Sequence, residues 1–177
     1  ASDDAAGTMT SQRIVVMGVS GCGKSTLARA LAQALHLHFV EGDALHPPDN
    51  VARMAAGIAL TDEDRHGWLQ AVAAQLANAT AQQQGVVVSC SALKRSYRDL
   101  LRAGAADVRF VHLHGDPQVL AQRMATRQGH YMPASLLQSQ LDTLEPPGDD
   151  EHPIRLDLAA PPEAQLAGAL QQLNPAP

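Results

Sequence analysis

The segment Gly18-Val19-Ser20-Gly21-Cys22-Gly23-Lys24-Ser25 has the spacing G-x-x-x-x-G-K-S, and no other feature constrains this chain as strongly. Such a loop needs a buried strand before it and a helix after it. Both signals are present. Arg13-Ile14-Val15-Val16-Met17 is apolar and β-branched, and Thr26 to Leu35 places Leu27, Leu31 and Leu35 on one helical face. The glycines let the backbone curl into a nest of inward-pointing N–H groups, and the helix start adds free N–H groups and the positive end of its dipole. The expectation is a nucleotide phosphate cradle built from Gly18, Val19, Ser20, Gly21, Cys22, Gly23, Lys24, Ser25 and Thr26. Lys24 would reach the β- and γ-phosphates as a catalytic cation, and the Ser25 hydroxyl would ligate Mg²⁺. Cys22 fills an unconstrained position and receives no catalytic role.

The remaining chain alternates strand and helix signals, which predicts βαβ units around a parallel sheet. Strands are expected at Arg13 to Gly18, His38 to Glu41, Gly85 to Cys90, Val108 to His114 and Ile154 to Leu158. Between the second and third, Pro47-Pro48-Asp49 opens a short helix. Thr61 with Asp64 then forms a capping box for a longer one, striped by Trp68, Leu69, Val72 and Leu76. Trp68 reads as a packing residue. Helices are expected at Pro117 to Ala125 and Ala134 to Leu144, separated by a Gly-containing segment. The acidic, Pro-rich stretch Glu145 to Pro153 reads as an exposed loop. A last helix carries Leu166, Leu170 and Leu173.

At 177 residues the chain suits one domain, taken as residues 9–177, with Ala1 to Thr8 set aside as a tag or disordered tail. The net charge of −5, the lack of a dense basic stretch and the 3% aromatic content argue against nucleic acid as a partner. No segment reads as a signal peptide or a membrane span. Cys22 and Cys90 are far apart and form no metal-type pair, which suits a reducing, cytoplasmic setting.

Ligands of open parallel sheets bind beyond the carboxyl ends of the strands. Strand two ends at Glu41-Gly42-Asp43, so Asp43 is the candidate base and substrate orienter, with Glu41 a weaker candidate behind it. The alternative is that Asp43 merely caps the turn before His46. After strand three no acidic residue follows, so the usual Walker B carboxylate is missing. Lys94, Tyr97 and Arg98 share a helical face suited to an anionic substrate; the alternative pairs these charges on the surface, as Arg95 with Asp99. Arg123 and Arg127 sit four apart before Gln128-Gly129-His130 and suit a lid that closes over phosphates, or else a solvated helix end. His112 and His114 face one side of strand four, without an identifiable third metal ligand.

A GTPase would carry Asn-Lys-x-Asp and a transporter-type ATPase Leu-Ser-Gly-Gly-Gln; neither is present. The chain resembles the gluconokinases of the small phosphate-loop type. The matching segments are the loop itself, Glu41-Gly42-Asp43-Ala44-Leu45-His46-Pro47, Leu60-Thr61-Asp62-Glu63-Asp64-Arg65 with Trp68-Leu69, Cys90-Ser91-Ala92-Leu93-Lys94 with Tyr97-Arg98-Asp99, and Gly129-His130 with Gln140 and Leu144-Glu145. They run across almost the whole chain from Arg13 onward.

The resemblance implies an α/β phosphate-loop kinase fold related to shikimate and nucleoside monophosphate kinases. It has three layers, a five-stranded parallel sheet of order 2-3-1-4-5 and a helical lid, placed at about residues 123–145. It implies ATP-dependent, Mg²⁺-assisted phosphorylation of D-gluconate at its 6-hydroxyl, and a homodimer. It explains the missing Walker B carboxylate, because the family also reads Cys-Ser-Ala there. Catalysis is then expected from Lys24, Asp43 and Arg127. Nucleotide binding extends to Arg123 and Arg127, and substrate binding is assigned to Asp43, His46, Arg53, Lys94, Arg98 and His130. A kinase for another small acceptor, such as shikimate, and a non-catalytic ATP sensor are the competing readings.

Overall fold

The computed structural model describes residues 12–19, 21–126 and 135–173. Five strands, β1 (Arg13–Met17), β2 (His38–Glu41), β3 (Val86–Ser89), β4 (Arg109–His114) and β5 (Ile154–Asp157), form one sheet in the order β2-β3-β1-β4-β5. Every pairing is parallel, with Arg13 opposite Val86, Ile14 opposite Arg109, His38 opposite Val86 and Val111 opposite Ile154. The expected strand order is the observed one. The central strand β1 is buried along its whole length, as continuous β-branched runs require when both faces are covered.

The helices are α1 (Lys24–Leu35), α2 (Pro48–Ala55), α3 (Asp62–Ala81), α4 (Arg95–Gly104), α5 (Pro117–Thr126), α6 (Ser135–Thr143) and α7 (Pro162–Leu173). Helices α1 and α7 pack on each other, and α1 also packs on β1 and β3; α3 and α4 form a second pair, with α3 against β1 and β3. The three-layer core runs through Val15, Val16, Leu31, Trp68, Leu76, Val87, Leu101, Phe110 and Leu113. Helix α1 begins at Lys24, two residues earlier than its apolar pattern predicts, so the lysine and serine of the loop sit in its first turn. The Thr61–Asp64 capping box forms as expected, with each residue's side chain accepting from the other's backbone N–H at 3.0 Å.

Two expectations need correction. The stretch Glu145 to Pro153 is not simply an exposed loop. The Glu145 N–H donates to the Leu93 carbonyl at 2.8 Å, and a short 3-10 turn, Asp149–Glu151, buries the Glu151 side chain to 3% exposure. Glu151 accepts from Arg98 Nε at 2.8 Å and from Arg102 Nη2 at 2.5 Å. Burial of the Arg98 charge demands a paired carboxylate, and this strap delivers it. The second is the Arg95–Asp99 pair: Arg95 instead meets Asp150, and Asp99 meets Arg102. Tertiary partners compete with helix neighbours wherever the strap comes within reach.

Candidate active site

The site assembles at the carboxyl edge of the sheet, from the loop after β1 and the ends of β2 and β3. The loop glycines Gly18, Gly21 and Gly23 all take positive φ, at 149°, 84° and 96°. Gly18 also has no room for a Cβ, which would lie 2.7 Å from Cys22 Sγ and 2.9 Å from the Leu113 carbonyl oxygen. Val19 and Cys22 are buried and close the turn through a Cys22 N–H to Val19 carbonyl bond of 3.3 Å. Glycine takes these conformations without steric cost, and they suit a nest of main-chain N–H groups. Thr26 is exposed in the first turn of α1. Ser20 lies outside the described residues.

Lys24 is buried at the mouth of this nest. Burial opposes its charge, but the Asp43 carboxylate, with smaller help from neighbours including Glu41, outweighs that and raises its pKa above the ordinary lysine value. Lys24 therefore stays an ammonium, and the Asp43 carboxylate, just after β2, is near enough for its charge to act on it. The structure brings these two expected catalytic residues together.

Ser25 Oγ donates to Glu41 Oε1 at 3.0 Å, and Glu41 also accepts a short bond from the Ser89 hydroxyl. Glu41 was the weaker candidate in sequence, yet it lies beside the expected metal ligand. The register explains this, since Glu41 stands directly opposite Ser89 at the ends of β2 and β3. Hydroxyl and carboxylate oxygens are the donor set that a hard cation such as Mg²⁺ takes alongside phosphate oxygens, so the residues fit that ion. Among the described residues no cluster of three or more His, Cys, Asp or Glu forms an all-protein metal cage.

The turn carrying Asp43 is fixed from three sides. Gly42 approaches β3 so closely that a Cβ would sit 2.0 Å from the Ser89 carbonyl oxygen. Its N–H donates to Ser89 Oγ at 3.3 Å, and its carbonyl accepts from Trp68 Nε1 at 2.8 Å. The Trp68 ring, 1% exposed, stacks on His46 with centroids 4.0 Å apart. The packing role expected of Trp68 holds, but the same side chain also positions the site. His46 Nδ1 lies 3.2 Å from Asn50 Nδ2. Burial pulls its pKa down to about 4, the Asp43 charge opposing and the Arg65 charge adding to the shift. His46 thus presents a neutral imidazole, a hydrogen-bonding partner rather than a cation.

The other basic candidates separate. Arg53 pairs with Asp64 at 2.7 Å on the surface. Lys94 meets Asp62 at 3.0 Å and lies over the Tyr97 ring. Arg98 is fully buried and spends its donors on Glu151 and on the carbonyls of Ala92, Leu93 and Glu145. The shared cationic face of Lys94 and Arg98 therefore does not form, because Arg98 turns inward to hold the chain after β3, where Ala92 takes a φ of 48°. Cys90 is buried at this turn, and burial, reinforced by the Asp43 charge, pushes its thiol up to about 12, which excludes a thiolate nucleophile. Arg127 and His130 lie outside the described residues. Arg123 falls in α5, and its side chain is not among those described.

Four side chains at the acceptor edge were not singled out by sequence: Asn50, Asp62, Arg65 and, for its hydroxyl, Tyr97. Arg65 Nη1 donates to Tyr97 Oη at 2.8 Å, and Tyr97 passes a short bond on to Asp62. The first turn of α3 was legible as a cap, and that reading hid its second use as one wall of the site.

The family described as AAA domain matches residues 14–147. A gluconokinase of Gluconobacter oxydans (strain 621H) is 52% identical over 153 residues, covering 86% of each chain. The crystal structure of a gluconokinase from Sinorhizobium meliloti 1021 superposes with a TM-score of 0.84 at 52% identity, over 93% of this chain and 92% of that one. An unliganded sugar kinase from Janibacter sp. HTCC2649 superposes with a TM-score of 0.89 at 50% identity, over 94% and 96% of the two chains.

Proposed function

The chain belongs to the gluconokinase family, and we infer that it transfers the γ-phosphoryl group of ATP to the 6-hydroxyl of D-gluconate, giving 6-phospho-D-gluconate and ADP. One observation carries the residue assignment: the buried Lys24 ammonium and the Asp43 carboxylate are coupled across the mouth of the phosphate loop. A cation for the transferring phosphoryl and a base for the attacking alcohol are the two groups this reaction needs side by side.

Asp43 accepts the proton of the 6-hydroxyl as the new O–P bond forms. The bond from the γ-phosphorus to the β,γ-bridging oxygen breaks, and its electron pair leaves with ADP. Lys24, the main-chain N–H groups of residues 18–25 and the amino end of α1 stabilise the charge on the phosphates. Ser25 and Glu41 are the residues that would hold Mg²⁺; when bound, the ion supplies further charge neutralisation at the phosphate oxygens. His46 and Asn50, on the stack against Trp68, offer hydrogen bonds to the polyol, with Arg53 and Lys94 at the rim. Arg123, Arg127 and His130 complete the reading as groups of a lid over about residues 123–145 that shuts water out of the transfer. The family resemblance implies a homodimer, and the widely spaced Cys22 and Cys90 suit a reducing, cytoplasmic setting. No described helix is long and apolar enough to cross a membrane.

The test is ADP release, followed by a coupled assay, with D-gluconate, shikimate, nucleoside monophosphates and related sugar acids as acceptors. Stimulation by gluconate far above the others is the expected result. Gluconate that fails to raise ADP release above water hydrolysis overturns the assignment.

A further inference from the structure

Gluconate carries a carboxylate at the end opposite its reacting alcohol, and the reading above leaves open which cation receives it. The described basic side chains of the acceptor edge are not equal in this respect. Arg53 is paired with Asp64, Lys94 with Asp62 and Arg98 with Glu151. Arg65 differs: it is 9% exposed and makes no direct ion pair among the described residues, its charge meeting that of Asp62 only at a distance. Its one side-chain hydrogen bond among the described residues runs from Nη1 to Tyr97 Oη at 2.8 Å, and its guanidinium lies over the Tyr97 ring, 5.5 Å from the centroid. Nε and Nη2 carry further donors that no described group accepts.

The counter-charge nearest to it, Asp62, is reached only through the Tyr97 hydroxyl and is already paired with Lys94. A buried guanidinium with no direct ion pair is costly, and a ligand carboxylate on its open edge would offset that cost. The surroundings match. Arg65 lines a recess with Met54, Leu60, Leu136, Ser139 and Gln140, between α2, α3 and α6. The recess holds about 10 Å³, room for one water or the oxygen that would replace it. The Arg65 charge also reaches His46, which places it near the turn that carries Asp43.

We propose that Arg65 is the specificity-determining cation of this enzyme, receiving the substrate carboxylate on its free guanidinium edge while Tyr97 holds the opposite edge in place. Planar, two-pronged donors suit a carboxylate, and a fixed guanidinium loses little freedom on binding. The polyol then runs from Arg65 past His46 to Asp43. The proposal rests on gluconate being the acceptor.

The experiment compares D-gluconate with D-glucitol, the polyol of equal length with an alcohol in place of the carboxylate, in wild type, Arg65→Gln and Arg65→Lys. Wild-type enzyme is expected to favour gluconate strongly in kcat/KM. Arg65→Gln should raise the gluconate KM about 100-fold, leave the ATP KM within about twofold and collapse the gluconate-to-glucitol preference. Arg65→Lys keeps the charge, guards against a failure of the first variant to fold, and should retain an intermediate preference. An undiminished preference in either folded variant overturns the proposal. Wild-type enzyme that gluconate does not stimulate overturns instead the reading on which it rests.

Discussion

The Trp68 indole N–H donates to the Gly42 carbonyl at 2.8 Å, so a residue in the middle of the acceptor-side helix holds the peptide immediately before Asp43. The same ring stacks on His46, and Gly42 is pressed against β3. The turn that carries Asp43 is thereby located by groups far from it in sequence.

Trp68→Phe keeps an aromatic face for His46 but leaves the Gly42 carbonyl unpaired. The expected cost is about 1–3 kcal/mol of stability. Displacement of Asp43 should lower kcat by about 10- to 100-fold with ATP affinity intact. Thermal melts and steady-state kinetics check both, and a variant with normal kcat would show that the bond does not position Asp43.

Asp43 and Glu41 stand two residues apart and should fail differently. Asp43→Asn removes the proposed base and is expected to lower kcat by about 10²- to 10⁴-fold, with the ATP KM nearly unchanged. Glu41→Gln loosens the Ser25 side and should raise the Mg²⁺ concentration needed for half-maximal activity. Magnesium titrations of the two variants separate the roles; matching curves would mean that the two carboxylates share one function.

The Arg98–Glu151 pair is structural on the geometry. Arg98→Met leaves a buried carboxylate with a single remaining cation, and a loss of about 3–5 kcal/mol is expected. The gluconate KM of the folded variant should stay within about twofold of wild type. A large rise in that KM with an unchanged melting temperature would return Arg98 to the substrate site.

Acid should unfold the protein in two stages. His112 is 3% exposed, and burial, with the charges of His114, Arg98 and Arg155, holds its pKa at about 4 against an ordinary 6.5. The unfolded chain binds this proton more readily, so stability is full above pH 6.5 and falls as pH drops towards 4, by about 3 kcal/mol. Glu151 follows. Burial works against its charge, but the bonds from Arg98 and Arg102 hold its pKa at about 2 against an ordinary 4.5. Its contribution is present above pH 4.5 and is lost towards pH 2. His46, also held at about 4 by burial, adds to the upper stage. Denaturant melts across pH should show His112→Gln reducing the upper stage without abolishing it and leaving the lower one unchanged; an unaltered slope in the upper stage would rule out His112 as a source.

The phosphate loop and the five strands were legible from residues 13–25 and from the alternation of apolar runs, because spacing along one segment dictates local geometry and a buried parallel strand can hardly read otherwise; the strand order followed only from the family resemblance. The position of Asp43 at the carboxyl edge of the sheet was legible for a related reason: it follows directly on a strand end, where such sheets bind ligands. Charge partnership was not. Lys94 and Arg98 look alike on a helical wheel, and only packing of the 145–153 strap turns Arg98 into a buried structural cation, while Arg65 is buried with no direct ion pair among the described residues. Sequence fixes what lies three or four residues away; which carboxylate meets which guanidinium depends on segments that come together only when the core closes, where desolvation makes each pairing decisive.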